Sequence, residues 1–553
     1  MQYQSTIQAS RKYTFSQMLR ESVPMHGGLF VPCELPKIDQ DFLNQLKPLS
    51  FQARAACIIR LFAPELSEPQ INQICQTAFN PMHFQSELLY EAKPLNPYLT
   101  NPLFLFVERG PTSCYMDLTH AFSLACLQTV MQENEQWLVM TGESLQSIKS
   151  LVALHLDDSA WVPVLITDSK ATNTYILKEI QHMHSVAARS QYRLSYAFSD
   201  KDSNDMPKQN KLAVEMPIIG DADESEKITN DNFSEHDGRL KLYTINGRVQ
   251  DVEYFTQNLF YQEKLRLRLK EQNKFLAATG SLSFTHHLAL IIILLSAYLD
   301  LLKQELIADS ENFCLAFPNM NLDFLYAGQL LQKMGLPVSN LIAASNSNRA
   351  IDDFLRQGKY KLKRRFSRTT APALDQIYLP NLERVLFEIT EHDCQTTYQI
   401  MTDLFKFGRI NLVPEIKQKL SDLIQSGYAN NNQIIEQIRN WYLRTDYLFD
   451  PYTALALIVL ERFEQSLSNT NKTIVPVIES PLLSVQVTAE AIIEQDKNIK
   501  MNYNRLLEAL SEESGIEIPL AALSGEQKPE VINLDIEQMS ERIQADLLKI
   551  GQN

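Results

Sequence analysis

The chain has 553 residues and a formal net charge of −15, with 45% hydrophobic and 21% charged side chains. That length suits several domains of about 100–200 residues each, and the composition is that of a globular chain rather than a disordered one. The acidic balance excludes nucleic acid as the main partner, because neutralising phosphates needs clustered Lys and Arg.

Along the chain, the opening MQYQSTIQASRKYTF lacks the apolar core of a secretion signal. Cys33, Cys57, Cys75, Cys114, Cys126, Cys314 and Cys394 are odd in number and form no C-x-x-C pair. Free thiols in a reducing cytoplasm are therefore expected, without a zinc site or a disulfide framework. The stretch FLFVERGPTSCYMDLTHAF, Phe104 to Phe122, reads as a buried strand, a Gly-Pro turn and the start of a helix. Such turns are where α/β proteins commonly handle phosphate-bearing ligands. WLVMTG (Trp137–Gly142), the helical ESLQSIKSLVALHL and WVPVLIT (Trp161–Thr167) then make one strand–helix–strand unit.

The region from about 185 to 238 carries SDKDSNDMPKQNK and DADESEKITNDNFSEHDGR and reads as an exposed polar, acidic insertion. YFTQNLFYQEKLRLRLK, Tyr254 to Lys270, is predicted as one amphipathic helix with a core-facing side. His286 and His287 diverge by ~100° on a helix, which rules out joint chelation of one metal and leaves a structural or surface role. His182 and His184 lack carboxylate or cysteine company, and Ser113 and Ser144 lack a histidine base. The apolar run LALIIILLSAYL, Leu288 to Leu299, is shorter than the ~20 residues a bilayer needs and is predicted as a core helix. NFCLAFP (Asn312–Pro318), a helix ending KMGLP and VSNLIAAS (Val338–Ser345) form a second strand–helix–strand unit. The basic run KYKLKRRFSR, Lys359 to Arg368, reads as a solvated face or the lip of an anion pocket. From about Ile389 the pattern is mostly helical, with one more strand at TIVPVI (Thr473–Ile478), and no internal repeat is visible. Two such units predict an α/β fold of parallel sheets flanked by helices.

Six segments in order resemble threonine synthase, a pyridoxal-phosphate (PLP) enzyme family of fold type II. They are GGLFVPCELP (Gly27–Pro36), GPTSCYMD (Gly110–Asp117), TGESL (Thr141–Leu145), LQKMGLPVSNLIAASNSNRAIDDFLRQGKY (Leu331–Tyr360), TTAPALDQIYLPNLERVLFE (Thr369–Glu388) and DPYTAL (Asp450–Leu455). The resemblance spans nearly the whole chain. It implies an N-terminal threonine-synthase-like domain over about 1–100 and a PLP-enzyme-like core of two subdomains over 101–388. A mostly helical region, 389–553, completes that core.

The same resemblance implies what the chemistry would need. The family's Schiff-base lysine falls at Met116, and a thioether forms no imine, whereas methionine fills core gaps well. The family's phosphate loop PSGNFG becomes Pro318, Asn319, Met320, Asn321, Leu322 and Asp323, with both glycines replaced. A non-glycine in the left-handed region costs roughly 1–2 kcal/mol. An inward Asp323 carboxylate ~4 Å from a phosphate would repel it by about 4 kcal/mol per charge pair at an effective dielectric of about 20. SGDTG becomes Thr141, Gly142, Glu143, Ser144 and Leu145; NSIN becomes Gly280, Ser281, Leu282 and Ser283; TAHPAKF becomes Ile478 to Ser484; STRG becomes Ser5 to Gln8; and the histidine of DPHTA becomes Tyr452. Positions that set turns and packing, such as Gly27, Gly28, Gly110, Pro111, Gly335, Pro337, Asp375 and Pro380, are kept.

The expectation is therefore a pseudoenzyme without a catalytic residue, bound PLP or metal. Its vestigial phosphate loop is Asn319, Met320, Asn321 and Asp323, and its vestigial pocket is Thr112, Asp117, Thr141, Glu143, Ser144, Ser281 and Tyr452. Protein partners are expected, with a cytoplasmic location and no membrane insertion. The alternatives are a small-molecule binder or enzyme of changed chemistry using Glu143, Ser144 and Asp117, and an active threonine synthase using Lys149 or Lys170.

Overall fold

The computed structural model describes residues 1–84, 88–141, 145–154, 161–168, 241–245, 249–365, 367–376, 378–379, 381–464, 471–493, 501–519, 522 and 536–549. The acidic insertion, His182, His184, Lys170, Glu143, Ser144 and Pro380 lie outside the described residues.

Two sheets carry the architecture. The larger has six strands in the order Ile424–Tyr428, Val338–Ser345, Phe313–Pro318, Lys472–Val477, Leu103–Phe106 and Glu91–Lys93. All neighbours are parallel except the last pair, where Glu91–Lys93 runs antiparallel at the edge. The smaller has four parallel strands, Lys241–Ile245, Trp161–Asp168, Gln136–Thr141 and Lys274–Ala278. Both expected strand–helix–strand units are present as parallel pairs, with Leu138 opposite Val162 and Leu315 opposite Leu341. Phe313–Pro318 is buried along its whole length, as a central parallel strand with both faces covered must be.

The Phe284–Lys303 helix packs on the Asp323–Met334, Met116–Gln128 and Phe51–Phe62 helices and on the Glu91–Lys93 strand. It is long and apolar enough to cross a bilayer, yet 94% of its apolar window is buried in protein, which agrees with a core helix. Ser283 caps its start by accepting from Thr285 N at 3.3 Å.

Two expectations are corrected. The segment Tyr254–Lys270 is not one helix but parts of two, Val249–Phe260 and Glu263–Lys270. The break is held by side chains: Tyr261 Oη donates to Gly28 O at 3.0 Å, and Arg266 Nη1 donates to Phe260 O at 3.2 Å, taking a carbonyl the first helix leaves open. The last third also holds more than one strand, because Arg409–Asn411 and Ile424–Tyr428 are strands as well. IQSGY was unreadable as a strand because it is a short edge strand. Its glycine, Gly427, lies under Val459, where an added Cβ would meet Cγ1 at 3.0 Å.

The parallel strands deliver their carboxyl ends to one region. Segments leaving Phe106, Ala278 and Pro318 carry Thr112 and Asp117, Ser281, and Asn319 to Asp323, the usual placement of ligand sites in open α/β sheets.

Candidate functional site

The turn after the Leu103–Phe106 strand is built around Gly110. A Cβ there would fall 2.3 Å from Asp117 Oδ2, so only glycine lets the carboxylate fold back on the turn. Asp117 accepts from Thr112 N at 2.9 Å and from Thr112 Oγ1 at 2.7 Å. Burial pushes its pKa up to about 6 against the pull of these hydrogen bonds. Met116 opens the Met116–Gln128 helix and is 1% exposed within the main apolar core. Its backbone carbonyl accepts from Thr119 Oγ1 at 3.0 Å.

The loop after Pro318 places its strain differently from the expectation. Neither Met320 nor Asp323 takes a positive φ; Asn321 (φ 48°) and Leu322 (φ 62°) do. Asparagine tolerates that region, whereas leucine there costs roughly 1–2 kcal/mol. Asp323 follows as the first residue of the Asp323–Met334 helix, with its side chain fully buried. Oδ2 accepts from Tyr115 Oη at 3.2 Å and Ser281 Oγ at 3.1 Å and lies 3.1 Å from His286 Nε2. Oδ1 accepts from Asn381 Nδ2 at 2.6 Å and lies 3.4 Å from His287 Nε2. Asn321 Nδ2 donates to Ser281 Oγ at 3.1 Å, which ties the loop to the same point. Burial would raise the Asp323 pKa, but His286 and His287 outweigh it and hold the carboxyl below its usual range. Burial pushes His287 down to about 3.

Behind this carboxylate stands Arg384, fully buried on the Leu382–Ile389 helix. It donates through Nε to Phe30 O (3.1 Å), through Nη1 to Ser281 O and Asn381 Oδ1 (2.6 Å each), and through Nη2 to Leu282 O (2.9 Å). Asn381 thus accepts from the cation and donates to the anion. His286 and His287 diverge as expected, yet the two oxygens of one carboxylate span the gap between their rings. These are direct contacts, and among the described residues no group of three or more His, Cys, Asp or Glu is arranged to hold a metal.

The remaining sequence-selected residues fall into separate groups. Thr141 Oγ1 lies 2.7 Å from Ser147 Oγ, which lies 3.2 Å from His120 Nε2. Burial pushes His120 down to about 3, so this imidazole is neutral. Tyr452 is buried and accepts from Ala373 N at 3.3 Å. Ser281 and Asn321 therefore join Asp323, whereas Thr112 with Asp117, Thr141, and Tyr452 do not. Among the described residues, Thr112, Asp117, Thr141, Ser281 and Tyr452 are all buried. A small recess of about 20 Å³, half open to solvent, lies beside the loop, lined by Asn319 with Ser345, Asn346, Asn348, Arg349 and Gln376 among others.

Sequence reasoning missed Tyr115, Asn381, Arg384 and the role of the two histidines. The signal for Arg384 was present: Asn381, Glu383 and Arg384 interrupt an otherwise apolar LPNLERVLF.

Against the demands of PLP this donor set does not fit. Where a phosphate would be received, the Asp323 carboxylate is held by Tyr115, Ser281 and Asn381, and the first position of the Met116–Gln128 helix offers a thioether to the core.

The architecture is nonetheless the α/β fold of PLP-dependent enzymes of fold type II. Within it, the chain is similar to threonine synthases and to threonine synthase-like proteins. Residues 2–79 match the family model "Threonine synthase N terminus". Threonine synthase-like 1 of Homo sapiens is 23% identical over 500 residues, covering 88% of this chain and 58% of that protein. The chain thus spans little more than half the length of these curated relatives. Threonine synthase of Saccharomyces cerevisiae is 22% identical over 484 residues, covering 83% of each. Crystal structures of threonine synthase from yeast and of the PLP-bound enzyme from Brucella melitensis superpose with TM-scores of 0.72 and 0.71 over 99% of each chain, at 19% and 16% identity.

Proposed function

We propose that this chain is a threonine-synthase-like pseudoenzyme that does not hold PLP and acts as a scaffold, adaptor or regulatory subunit for protein partners. One observation carries the reading: the buried Asp323 carboxylate sits in the loop that would receive a phosphate, with five side chains turned toward it. Met116 in the core supports it, since an imine needs an amine at that position. A protein-binding role is supported by aromatic side chains left open on neighbouring helices. Tyr254 and Phe405 stand 5.5 Å apart, and both are more than two-fifths exposed. Purified protein mixed with PLP is expected to give no visible aldimine band and no borohydride-stable lysine adduct. Met116→Lys alone is expected to behave the same way, because the loop remains filled. An aldimine in the parent protein would defeat the reading.

A second reading, a small-molecule binder, points to the polar recess at Asn319 and Arg349, which would have to open further to admit a ligand. In that case a thermal-shift screen would find a stabilising ligand whose effect is lost in Arg349→Ala.

A further inference from the structure

We propose that Asp323 is the resident ligand of an anion site, a carboxylate supplied by the chain where a separate anion would otherwise be required. The inference takes one thing from the reading above, that the loop holds no cofactor phosphate. The rest comes from charge and geometry.

A buried guanidinium needs a counter-charge, because removing a cation from water without one costs several kcal/mol. The four hydrogen bonds of Arg384 all go to neutral acceptors: three backbone carbonyls and the Asn381 amide oxygen. Among the described residues no carboxylate lies within ion-pair distance of it. Glu383, its neighbour in sequence, is hydrogen-bonded to Thr6 instead. The charge is answered at longer range, by the neighbouring Glu383 and, through Asn381, by Asp323 Oδ1.

Around Asp323 the polar neighbours come from four parts of the chain, and Tyr115, Ser281 and Asn381 donate to it. Tyr115 lies on the 110s turn, Ser281 follows the smaller sheet, His286 and His287 open the central helix, and Asn381 precedes the arginine helix. Their convergence on two oxygens is what an anion receptor does. Here the anion is tethered at the first position of a helix, where the backbone dipole also favours negative charge. The site therefore closes without any ligand from solution.

Truncation should turn the built-in ligand into a soluble one. Asp323→Gly removes a group with the size and charge of acetate, and Asp323→Ala one close to formate. Both variants are expected to melt below the parent. Acetate at tens of millimolar should restore a large part of the loss in Asp323→Gly, and formate should do so in Asp323→Ala, while chloride at equal ionic strength does neither. The parent should be indifferent to all three salts. Asp323→Asn, which keeps the shape without the charge, should also melt low and gain nothing from either acid. If the truncated variants fail to fold, the pair Asp323→Asn and Arg384→Met decides the matter: the double variant should lose clearly less than the sum of the singles. Melting of Asp323→Asn with the parent, absence of anion-specific recovery in folded truncations, or strict additivity would each overturn the proposal. An aldimine in the parent would instead strike the cofactor reading and leave this melting series to be judged alone.

Discussion

Arg384 shows how much of the site rests on side-chain shape. Its flat fork places Nε, Nη1 and Nη2 on four acceptors from three segments. Lysine would keep the charge but has a single nitrogen with three protons. At least one buried carbonyl would then be left open, at about 1–3 kcal/mol. Arg384→Lys is therefore expected to lower the urea midpoint at unchanged slope, although the substitution conserves charge. At this scale the sequence was legible as departures from a motif. Met116 for an amine and Met320 and Asp323 for glycines can be read against a motif, one position at a time. What surrounds Asp323 was not legible, because it is made of distant pairs. Asp323 meets Asn381 across 58 positions and Tyr115 across 208, and no local pattern announces such contacts. The inward carboxylate followed from the motif only as a condition; its two histidines and its amide did not follow at all.

The 110s turn and the 479–484 loop form one element pair. Tyr115 N donates to Ile478 O at 3.0 Å and Ser480 N to Ser113 O at 2.8 Å, which closes a small antiparallel bridge between them. The bridge buries Glu479, which accepts from Gln146 Nε2 at 3.1 Å and Ser484 Oγ at 2.9 Å and also faces Lys149 and Asp450. Burial first, then the Asp450 charge, pushes the Glu479 pKa up to about 8 from its ordinary 4.5, and burial pushes Asp450 up to about 6. The native state thus keeps a proton that the unfolded chain releases. The stability this proton contributes is complete below about pH 4.5, falls as pH rises, and is lost by the time pH passes about 8. Each pH unit that separates the folded from the unfolded pKa is worth about 1.4 kcal/mol, so the total is on the order of a few kcal/mol. Melting temperature should therefore decline from about pH 5 to pH 8.5 in the parent. Glu479→Gln, which resembles the protonated acid, should flatten that decline and melt above the parent at the alkaline end. Equal slopes for the two proteins would show that Glu479 does not hold the proton. Asp450 accepts from Tyr452 N and Thr453 N at 2.9 Å each, as a helix cap does, a role the sequence reading of DPYTAL did not assign. The acid at 479 stood where the family motif has alanine, and sequence alone showed only a lost histidine and lysine nearby.

Across the whole molecule, the edge strand Glu91–Lys93 of the larger sheet and the N-terminal helix Phe51–Phe62 meet on the Phe284–Lys303 helix. Its first turn supplies His286 and His287 to Asp323, and its later turns pack on Phe51–Phe62 and Glu91–Lys93. The parallel sheets were legible because buried strands are unbroken apolar runs separated by helix-length segments. The edge strand Ile424–Tyr428 and the split at Tyr261 were not, because side chains from elsewhere decide both. The same helix is apolar enough to have been a membrane span, and only its surroundings distinguish the two roles. Leu295, near its middle, is completely buried. A lysine there would place an unpaired charge among apolar side chains, at a cost of several kcal/mol even after relaxation. Total stability for a domain is only about 5–15 kcal/mol, so such a loss falls on the fold as a whole rather than on one edge. Leu295→Lys is expected to accumulate as insoluble chain, or to melt without a cooperative transition, while the parent stays in solution without detergent. A soluble variant with the parent's melting curve would mean that this helix is not packed in the core as its burial indicates. A parent chain that needed detergent would mean that its apolar faces are turned to lipid rather than to the helices packed against them here.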